Sequence, residues 1–242
     1  MWQITETEAQ LRELVGDDDL RSAGRFASEK RRVQHLAWRA ALRTLVPHGA
    51  VEYTAEGCPY IENPATDLEA HHTIYLSATH TDGMAAVVVG TEPCGVDVES
   101  LGRDFSRTAP RFISPAEAML NGSERAEFPA AVWCAKEALY KCSGRRELDF
   151  LRDIEVTAFE VADLAAADLE VTPFEAADLS TTDLAVADAD AGGGADAGAG
   201  GGCDVPVTVE ARGAMRGRLC ECRDLPLEFV VVNGYIAVWI GV

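Results

Sequence analysis

Four side chains in two short segments have the types and spacing for metal-assisted chemistry. Gly95-Val-Asp97-Val-Glu99 alternates like a β-strand, on which residues two apart share a face, so Asp97 and Glu99 are expected to point two carboxylates at one spot. Trp133-Cys-Ala-Lys-Glu137-Ala-Leu-Tyr-Lys141 has a helical pattern that places Glu137 and Lys141 one turn apart. Three carboxylates and a lysine suit a hard cation bound to a polyphosphate.

The two segments together resemble the 4'-phosphopantetheinyl transferase superfamily. Its members carry a G-[IV]-D-[IV]-E strand and, some tens of residues later, a W-x-x-K-E-A-x-x-K helix, and both patterns are intact here at their defining positions. The resemblance implies transfer of the 4'-phosphopantetheine arm of coenzyme A to a serine of an apo acyl or peptidyl carrier protein, with release of adenosine 3',5'-bisphosphate. It also implies Mg2+ as the cofactor and coenzyme A as the co-substrate.

The same resemblance implies roles for the four side chains. Asp97 and Glu99 would bind Mg2+, and Glu137 would be a further ligand or the base that takes the serine proton. Lys141 would contact the pyrophosphate and neutralise charge on the leaving group. Asp97→Ala is expected to abolish transfer while leaving the fold intact, since a change at an exposed strand position alters the stability by only about 0.5 kcal/mol.

The roles of three neighbouring residues are open to other interpretations. Trp133 lies on the Glu137 side of the helix and is expected to pack beside the site. Lys136 projects about 100° from Glu137, so a structural role and a ligand role are both open. Glu117 stands where longer family members bring an acid near the metal, but it is also the third residue after Ser114, so a capping box explains it equally well.

Basic and hydroxyl side chains are candidates for the phosphates of coenzyme A. His80 and Thr79 match the S-H-[ST] turn of the family, in which the histidine contacts a cofactor phosphate. Six basic residues concentrate around the first long helix, and Arg31 and Arg32 are the preferred pair for the 3'-phosphate. The six are Arg25, Lys30, Arg31, Arg32, Arg39 and Arg43.

The chain departs from the family pattern at two places. The family usually has G-K-P before the strands of the first half, with a lysine that reaches a phosphate, whereas this chain has Cys58 between Gly57 and Pro59. The G-x-G-L turn after the motif helix is replaced by residues 144–148. Arg145 and Arg146 in that turn could compensate with charge or could engage the carrier.

Composition limits the class of protein. The chain has 242 residues, 48% of them hydrophobic, and a formal net charge of -19, which argues against nonspecific nucleic-acid binding. The seven cysteines are odd in number and widely spread, which argues against a disulfide framework. The N-terminus lacks the pattern of a secretory signal and no apolar run is long enough to span a membrane. We therefore expect a cytoplasmic protein without a membrane partner.

One segment differs from the rest of the chain. Residues 160–204 contain 11 Asp and Glu and no Lys or Arg, and from Thr157 they read in pentads similar to the A-[DN]-L-x-x unit of pentapeptide-repeat proteins. About seven pentads give fewer than two coils of a β-helix, which is short for a solenoid. A Gly/Ala-rich run follows. Residues 162–204 are therefore treated as an insertion, either an ordered stub or a flexible expansion.

The remaining pattern predicts an α+β fold of two similar α/β halves related by a pseudo-twofold axis, residues 1–103 and 104–242. This outline looks like the longer, monomeric class of the family, with the active site between the halves. The predicted helices are a short one opened by a Thr5 to Glu8 capping box, 28–46, one starting at Ser114, and 129–142. The predicted strands are 73–77, 84–89, 94–99, 154–157, 205–211, 218–223, and a hairpin of 227–232 and 235–240 about Asn233-Gly234.

Three functions from different classes are open at this point. The first is an active Mg2+-dependent transferase, which the intact motifs favour. The second is a catalytically weak module of the same fold that binds coenzyme A or a carrier protein, which Cys58 and the insertion favour. The third is a scaffold in which the pentad segment does the work, and deleting residues 162–204 without effect on activity or stability would exclude it.

Overall fold

The computed structural model describes residues 1–62, 73–162, 209–219 and 224–241. Helices in these ranges are α1 (Glu8–Arg12), α2 (Asp17–Ala23), α3 (Glu29–Leu45) and α4 (Phe128–Ser143), with short 3-10 turns at Ala109–Arg111 and Glu117–Met119. The strands are β1 (Trp2–Gln3), β2 (Val51–Tyr53), β3 (Pro59–Glu62), β4 (Thr73–Thr81), β5 (Met84–Gly90), β6 (Gly95–Ser100), β7 (Ile154–Val161), β8 (Val209–Leu219), β9 (Asp224–Val232) and β10 (Tyr235–Ile240).

The strands form two five-stranded antiparallel sheets, which confirms the predicted α+β fold. The first sheet has the order β1-β5-β4-β3-β2 and the second the order β6-β10-β9-β8-β7. By its pairing with β10, β6 belongs to the second sheet. The predicted division of the chain at residues 103 and 104 stays a prediction. The predicted insertion at 162–204 lies, except for its first residue, outside the described residues.

Helix α3 covers one face of the first sheet. Ser28 is its N-cap, as the sequence predicts, and the apolar stripe of Leu36, Ala37 and Ala40 is buried against that sheet. The predicted capping box is displaced by two residues, because Thr7 and Gln10 form it at the start of α1. Helix α2 was not predicted, since three consecutive aspartates in its first turn hide its apolar spacing.

Helix α4 covers the second sheet and ends at Gly144, which has the left-handed conformation of a helix C-cap. The hairpin of β9 and β10 turns at Asn233 and Gly234, both with positive φ, which confirms the predicted turn. The two strands predicted at 205–211 and 218–223 are wrong as separate elements. A single strand, β8, runs from Val209 to Leu219 between β7 and β9. No helix in the described ranges is long and apolar enough to cross a membrane.

Gly95 lets α4 approach β6 closely enough to share one site. A Cβ at this position would lie 1.9 Å from the carbonyl oxygen of Ala138 and 3.1 Å from the backbone nitrogen of Cys142. Both atoms belong to the α4 backbone, so the helix itself would have to move. This is the physical reason for the glycine that opens the G-V-D-V-E strand.

Gly95→Ala is therefore expected to lower the free energy of unfolding by about 1–3 kcal/mol, the usual cost of overpacking. Urea denaturation measures the change. Gly90→Ala is the matched control, because a Cβ on that strand glycine meets nothing closer than 3.5 Å. Equal losses for the two variants would contradict this account of the packing.

Candidate active site

Strands β4 and β6, which belong to different sheets, pack against each other. Polar side chains of the two strands form hydrogen bonds across this contact. The Thr79 hydroxyl donates to Oδ1 of Asp97 at 2.7 Å, and the Thr81 hydroxyl donates to Oε1 of Glu99 at 3.2 Å. Because alternate residues of each strand take part, Asp97 and Glu99 share one face. They are only 7% and 8% exposed, so the expectation of an exposed Asp97 is wrong.

Lys141 of α4 reaches the same carboxylate. Its Nζ donates to Oδ1 of Asp97 at 2.7 Å and to the carbonyl oxygen of Val96 at 2.9 Å. An alanine at position 97 would leave this ammonium group and the Thr79 hydroxyl without their partner. Asp97→Ala is thus expected to change the stability as well as the chemistry.

Glu137, one turn before Lys141, is an unpaired carboxylate. It is half-buried and has no hydrogen bond or ion pair to any described residue. Burial raises its pKa, and the negative charge of Asp97 raises it further, while Lys141 and Arg103 act in the opposite direction. The carboxylate is thus within electrostatic reach of Asp97 and free to accept a proton or a cation.

Arg103 supplies a positive charge beside the acidic cluster, although no sequence pattern pointed to it. Its guanidinium pairs with Glu99 and lies over the rings of Phe105 and Trp133, at 4.7 and 5.2 Å from their centroids. Trp133 therefore contacts the site through Arg103, and it packs against Phe112 as well. Arg103 lies in the loop after β6, where neither strand nor helix spacing relates it to Glu99.

A cleft begins at Lys141 of this cluster. Three adjoining cavities of about 370, 600 and 520 Å³ make up the cleft, and Pro59 and Lys141 line all three. The smallest contains His80 and Thr79 of β4, and the other two extend past Cys58 to the end of α4. An elongated ligand lying along this cleft would pass over Lys141.

Arg31 is within electrostatic reach of His80, which lines the smallest cavity of the cleft. Desolvation lowers the pKa of His80, the positive charge of Lys141 lowers it further, and Arg31 adds to the same effect. The shift favours the neutral imidazole, and Lys141 and Arg31 are the positive groups that act on it. Arg31 is exposed and pairs with no described residue.

Most of the basic cluster on the first long helix is occupied within the fold. Arg32 donates to both carboxylate oxygens of Glu8 at about 3 Å and to two backbone carbonyls, so it ties α1 to α3. The other occupied cations pair with carboxylates on neighbouring elements: Lys30 with Asp82, and Arg39 and Arg43 with Asp19. Arg31 and Arg25 remain available, and the structure brings Arg31, but not Arg32, toward the cleft.

Glu117 and Lys136 form a buried ion pair away from the cleft. Their side chains are 1% and 0% exposed, and Lys136 Nζ lies 2.7 Å from Oε1 of Glu117. Glu117 also accepts from the backbone nitrogens of Ser114 and Val156, at 2.7 and 2.8 Å. Both side chains are thus occupied within the fold. Ser114 and Glu117 exchange the two hydrogen bonds of a capping box, but the helix predicted to start at Ser114 is only a 3-10 turn at Glu117–Met119.

The two departures from the family pattern lie together in the cleft. Cys58 lines the two larger cavities, and Arg145 and Arg146 line one of them with it. Arg146 donates to the carbonyl oxygen of Glu56, in the turn that precedes Cys58. The altered turn after α4 therefore contacts the turn that holds the cysteine.

The acidic cluster suits a cation held only partly by protein. In the described part of the chain, no three His, Cys, Asp or Glu side chains are placed to hold a metal ion by themselves. The available donors are carboxylate oxygens, however, and Mg2+ commonly takes one or two carboxylates and completes its shell with phosphate and water. The unpaired, desolvated Glu137 is the observation that fits such an ion, since a cation would offset its burial.

Comparison with known proteins shows what the segment that carries this cluster is similar to. No curated protein matches the chain closely enough to be significant. Residues 93–188 match the family model of the 4'-phosphopantetheinyl transferase superfamily. The matched segment starts just before β6 and includes α4. The segment that holds Asp97, Glu99, Glu137 and Lys141 thus matches the 4'-phosphopantetheinyl transferase superfamily, a family that implies phosphopantetheine transfer from coenzyme A to carrier proteins.

Proposed function

We propose that this protein is an Mg2+-dependent 4'-phosphopantetheinyl transferase that modifies a serine of an apo acyl or peptidyl carrier protein. The observation that carries the proposal is the contact of Lys141, which lines the cleft, with Asp97, and the unpaired Glu137 within electrostatic reach of both. A monomeric, cytoplasmic enzyme of the longer class of the family is part of the same proposal.

The reaction breaks the pyrophosphate bond of coenzyme A. The carrier serine oxygen attacks the phosphorus that bears pantetheine, a new P–O bond forms, and the bond to the leaving phosphate breaks. Glu137 accepts the serine proton, since it is unpaired and its raised pKa makes it a better base than an exposed carboxylate. Adenosine 3',5'-bisphosphate leaves with the bonding electrons.

Positive groups stabilise the leaving bisphosphate. Lys141 lines all three cavities of the cleft, so its ammonium lies along the path of a bound pyrophosphate. Asp97 fixes Lys141 through the 2.7 Å contact. Asp97 and Glu99, with Glu137 as a possible third ligand, would hold Mg2+, which when bound supplies positive charge to the pyrophosphate.

The decisive experiment incubates the protein with coenzyme A, Mg2+ and an apo carrier and measures the intact mass of the carrier. The expected result is a mass gain of one phosphopantetheine on the carrier serine, lost when EDTA replaces Mg2+. An unchanged carrier mass with several acyl and peptidyl carriers would overturn the proposal.

Asp97→Asn is expected to lower the transfer rate about 100-fold, because it removes the charge that holds Lys141 and would bind the cation. The amide oxygen can still accept from Lys141 and Thr79, so the fold is expected to remain. Steady-state kinetics and urea denaturation measure the two effects. Asp18→Asn, at an exposed aspartate of α2, is the control. A normal rate for Asp97→Asn would contradict the assignment of Asp97.

A second candidate is a module of the same fold that binds coenzyme A or a carrier with little turnover. Cys58 favours it, because this residue lines the cleft where the family usually supplies a lysine for a phosphate. The carrier experiment separates the two functions. Tight coenzyme A binding without a change in carrier mass is the result expected of a binding module.

A further inference from the structure

Tyr53 faces the smallest cavity of the cleft and has a hydroxyl proton to give. The residue ends β2 at the edge of the first sheet, is 50% exposed, and lines the cavity with Thr79, His80 and Lys141. Its oxygen lies 3.0 Å from Nη2 of Arg39. Arginine has only donors, so the phenol oxygen must be the acceptor in this bond. The phenol proton therefore has no acceptor among the described residues.

Arg39, which donates to the Tyr53 oxygen, is itself buried and held by an ion pair. Its side chain is 4% exposed and its Nη1 lies 3.2 Å from Oδ1 of Asp19. Asp19 is also bonded to Arg43. The Arg39 guanidinium stacks over Trp38, which lines the same cavity. A buried cation that donates to a phenol polarises its O–H bond and makes it a stronger donor.

The cavity is suited to an anion, although the chain carries a net charge of -19. No Asp or Glu in the described ranges lines it, whereas Lys141 does, and Arg31 acts electrostatically on the His80 that lines it. Its volume of about 370 Å³ is enough for a phosphate group and part of a nucleoside.

We infer that Tyr53 donates a hydrogen bond to a phosphate of coenzyme A and that Arg39 is the positioning residue that directs its hydroxyl. The inference rests on the proposed function, since it places the nucleotide end of coenzyme A in this cavity. Nothing in the two sequence motifs points to Tyr53. The residue is brought to the site by the pairing of β2 with β3.

Titration calorimetry with adenosine 3',5'-bisphosphate tests the inference without requiring turnover. Tyr53→Phe removes only the hydroxyl, and its Kd is expected to rise at least about tenfold, because a hydrogen bond to a charged group is lost. The KM for coenzyme A should rise similarly while kcat stays near the wild-type value. Tyr235→Phe is the matched control, since its hydroxyl bonds to the carbonyl of Asp82 outside the cleft.

The role of Arg39 is tested by a double-mutant cycle. Arg39→Lys keeps the charge but loses the forked geometry, and it is expected to weaken bisphosphate binding only when Tyr53 is present. Weakening by the same factor in the Tyr53→Phe background would show a structural effect and overturn the positioning role. Urea midpoints establish that each variant is folded.

The outcomes separate the inference from the proposed function. Normal bisphosphate binding by Tyr53→Phe, or no binding by the wild-type protein, overturns the inference. If the wild-type protein binds the bisphosphate through Tyr53 but leaves carrier mass unchanged, the transferase proposal fails and the inference stands.

Discussion

Glu137→Gln is expected to lower the rate of phosphopantetheine transfer by about 10² to 10⁴-fold, the usual contribution of a positioned general base. The substitution keeps the shape of the side chain and removes its charge. No hydrogen bond to a described residue is lost, and a half-buried carboxylate beside Asp97 is replaced by a neutral group. The free energy of unfolding at pH 7 is therefore expected to stay equal or rise slightly, which separates the catalytic effect from misfolding.

The pH dependence distinguishes the two roles open to Glu137. As a base it must be deprotonated, and burial and Asp97 raise its pKa. The wild-type rate should then rise as the pH increases through that raised pKa and level off above it, and the Gln variant should lack this limb. If Glu137 is instead a metal ligand, the Gln variant should need a higher Mg2+ concentration to reach half of its maximal rate.

Glu124→Gln is the control for this experiment, because Glu124 is exposed and lies before α4, away from the cleft. Its kinetics should match the wild-type protein. A Glu137→Gln variant with wild-type rate, pH profile and Mg2+ requirement would show that the carboxylate has no part in the reaction.

The parts of the fold with regular spacing were predictable from sequence. Strand β6 and helix α4 have strong local periodicity, and the Asn233-Gly234 turn has a residue pair with one favoured geometry. Local patterns of this kind depend on neighbours in the chain, so a single sequence is enough to find them. Only the family resemblance implied that Asp97 and Lys141 share one site, and the structure places Lys141 Nζ 2.7 Å from Oδ1 of Asp97.

The contacts that could not be predicted join residues far apart in the chain. Tyr53 of β2 meets Arg39 of α3, and Thr79 meets Asp97 because β6, the edge strand of the second sheet, packs against β4 in the interior of the first sheet. Arg32 belonged to a basic cluster by composition, but its partner Glu8 is on another helix. Whether a charged residue faces a ligand or an internal partner depends on tertiary packing, and one-dimensional spacing carries no record of it.

Lys136→Met is expected to lower the free energy of unfolding by about 3–5 kcal/mol, the cost of leaving one member of a buried ion pair without its partner. Glu117 is 1% exposed and would keep two backbone donors but lose the ammonium at 2.7 Å. The carbonyl oxygen of Phe150 would also lose the donor that lies 2.6 Å away. Urea denaturation measures the loss. Because Lys136 precedes Glu137 on α4, transfer activity should fall only where the fold is lost.

A second substitution shows whether the loss comes from the stranded charge. Adding Glu117→Gln to Lys136→Met removes that charge and keeps a carbonyl oxygen for a backbone donor, so most of the lost stability is expected to return. Lys30→Met is the matched control, since its pair with Asp82 is exposed and is worth at most about 1 kcal/mol. If the double variant is as unstable as Lys136→Met alone, the lysine stabilises α4 by packing its aliphatic chain and not through its charge. Recovery would show that Lys136, the first lysine of the motif helix, serves the ion pair that joins this helix to the segment carrying Glu117.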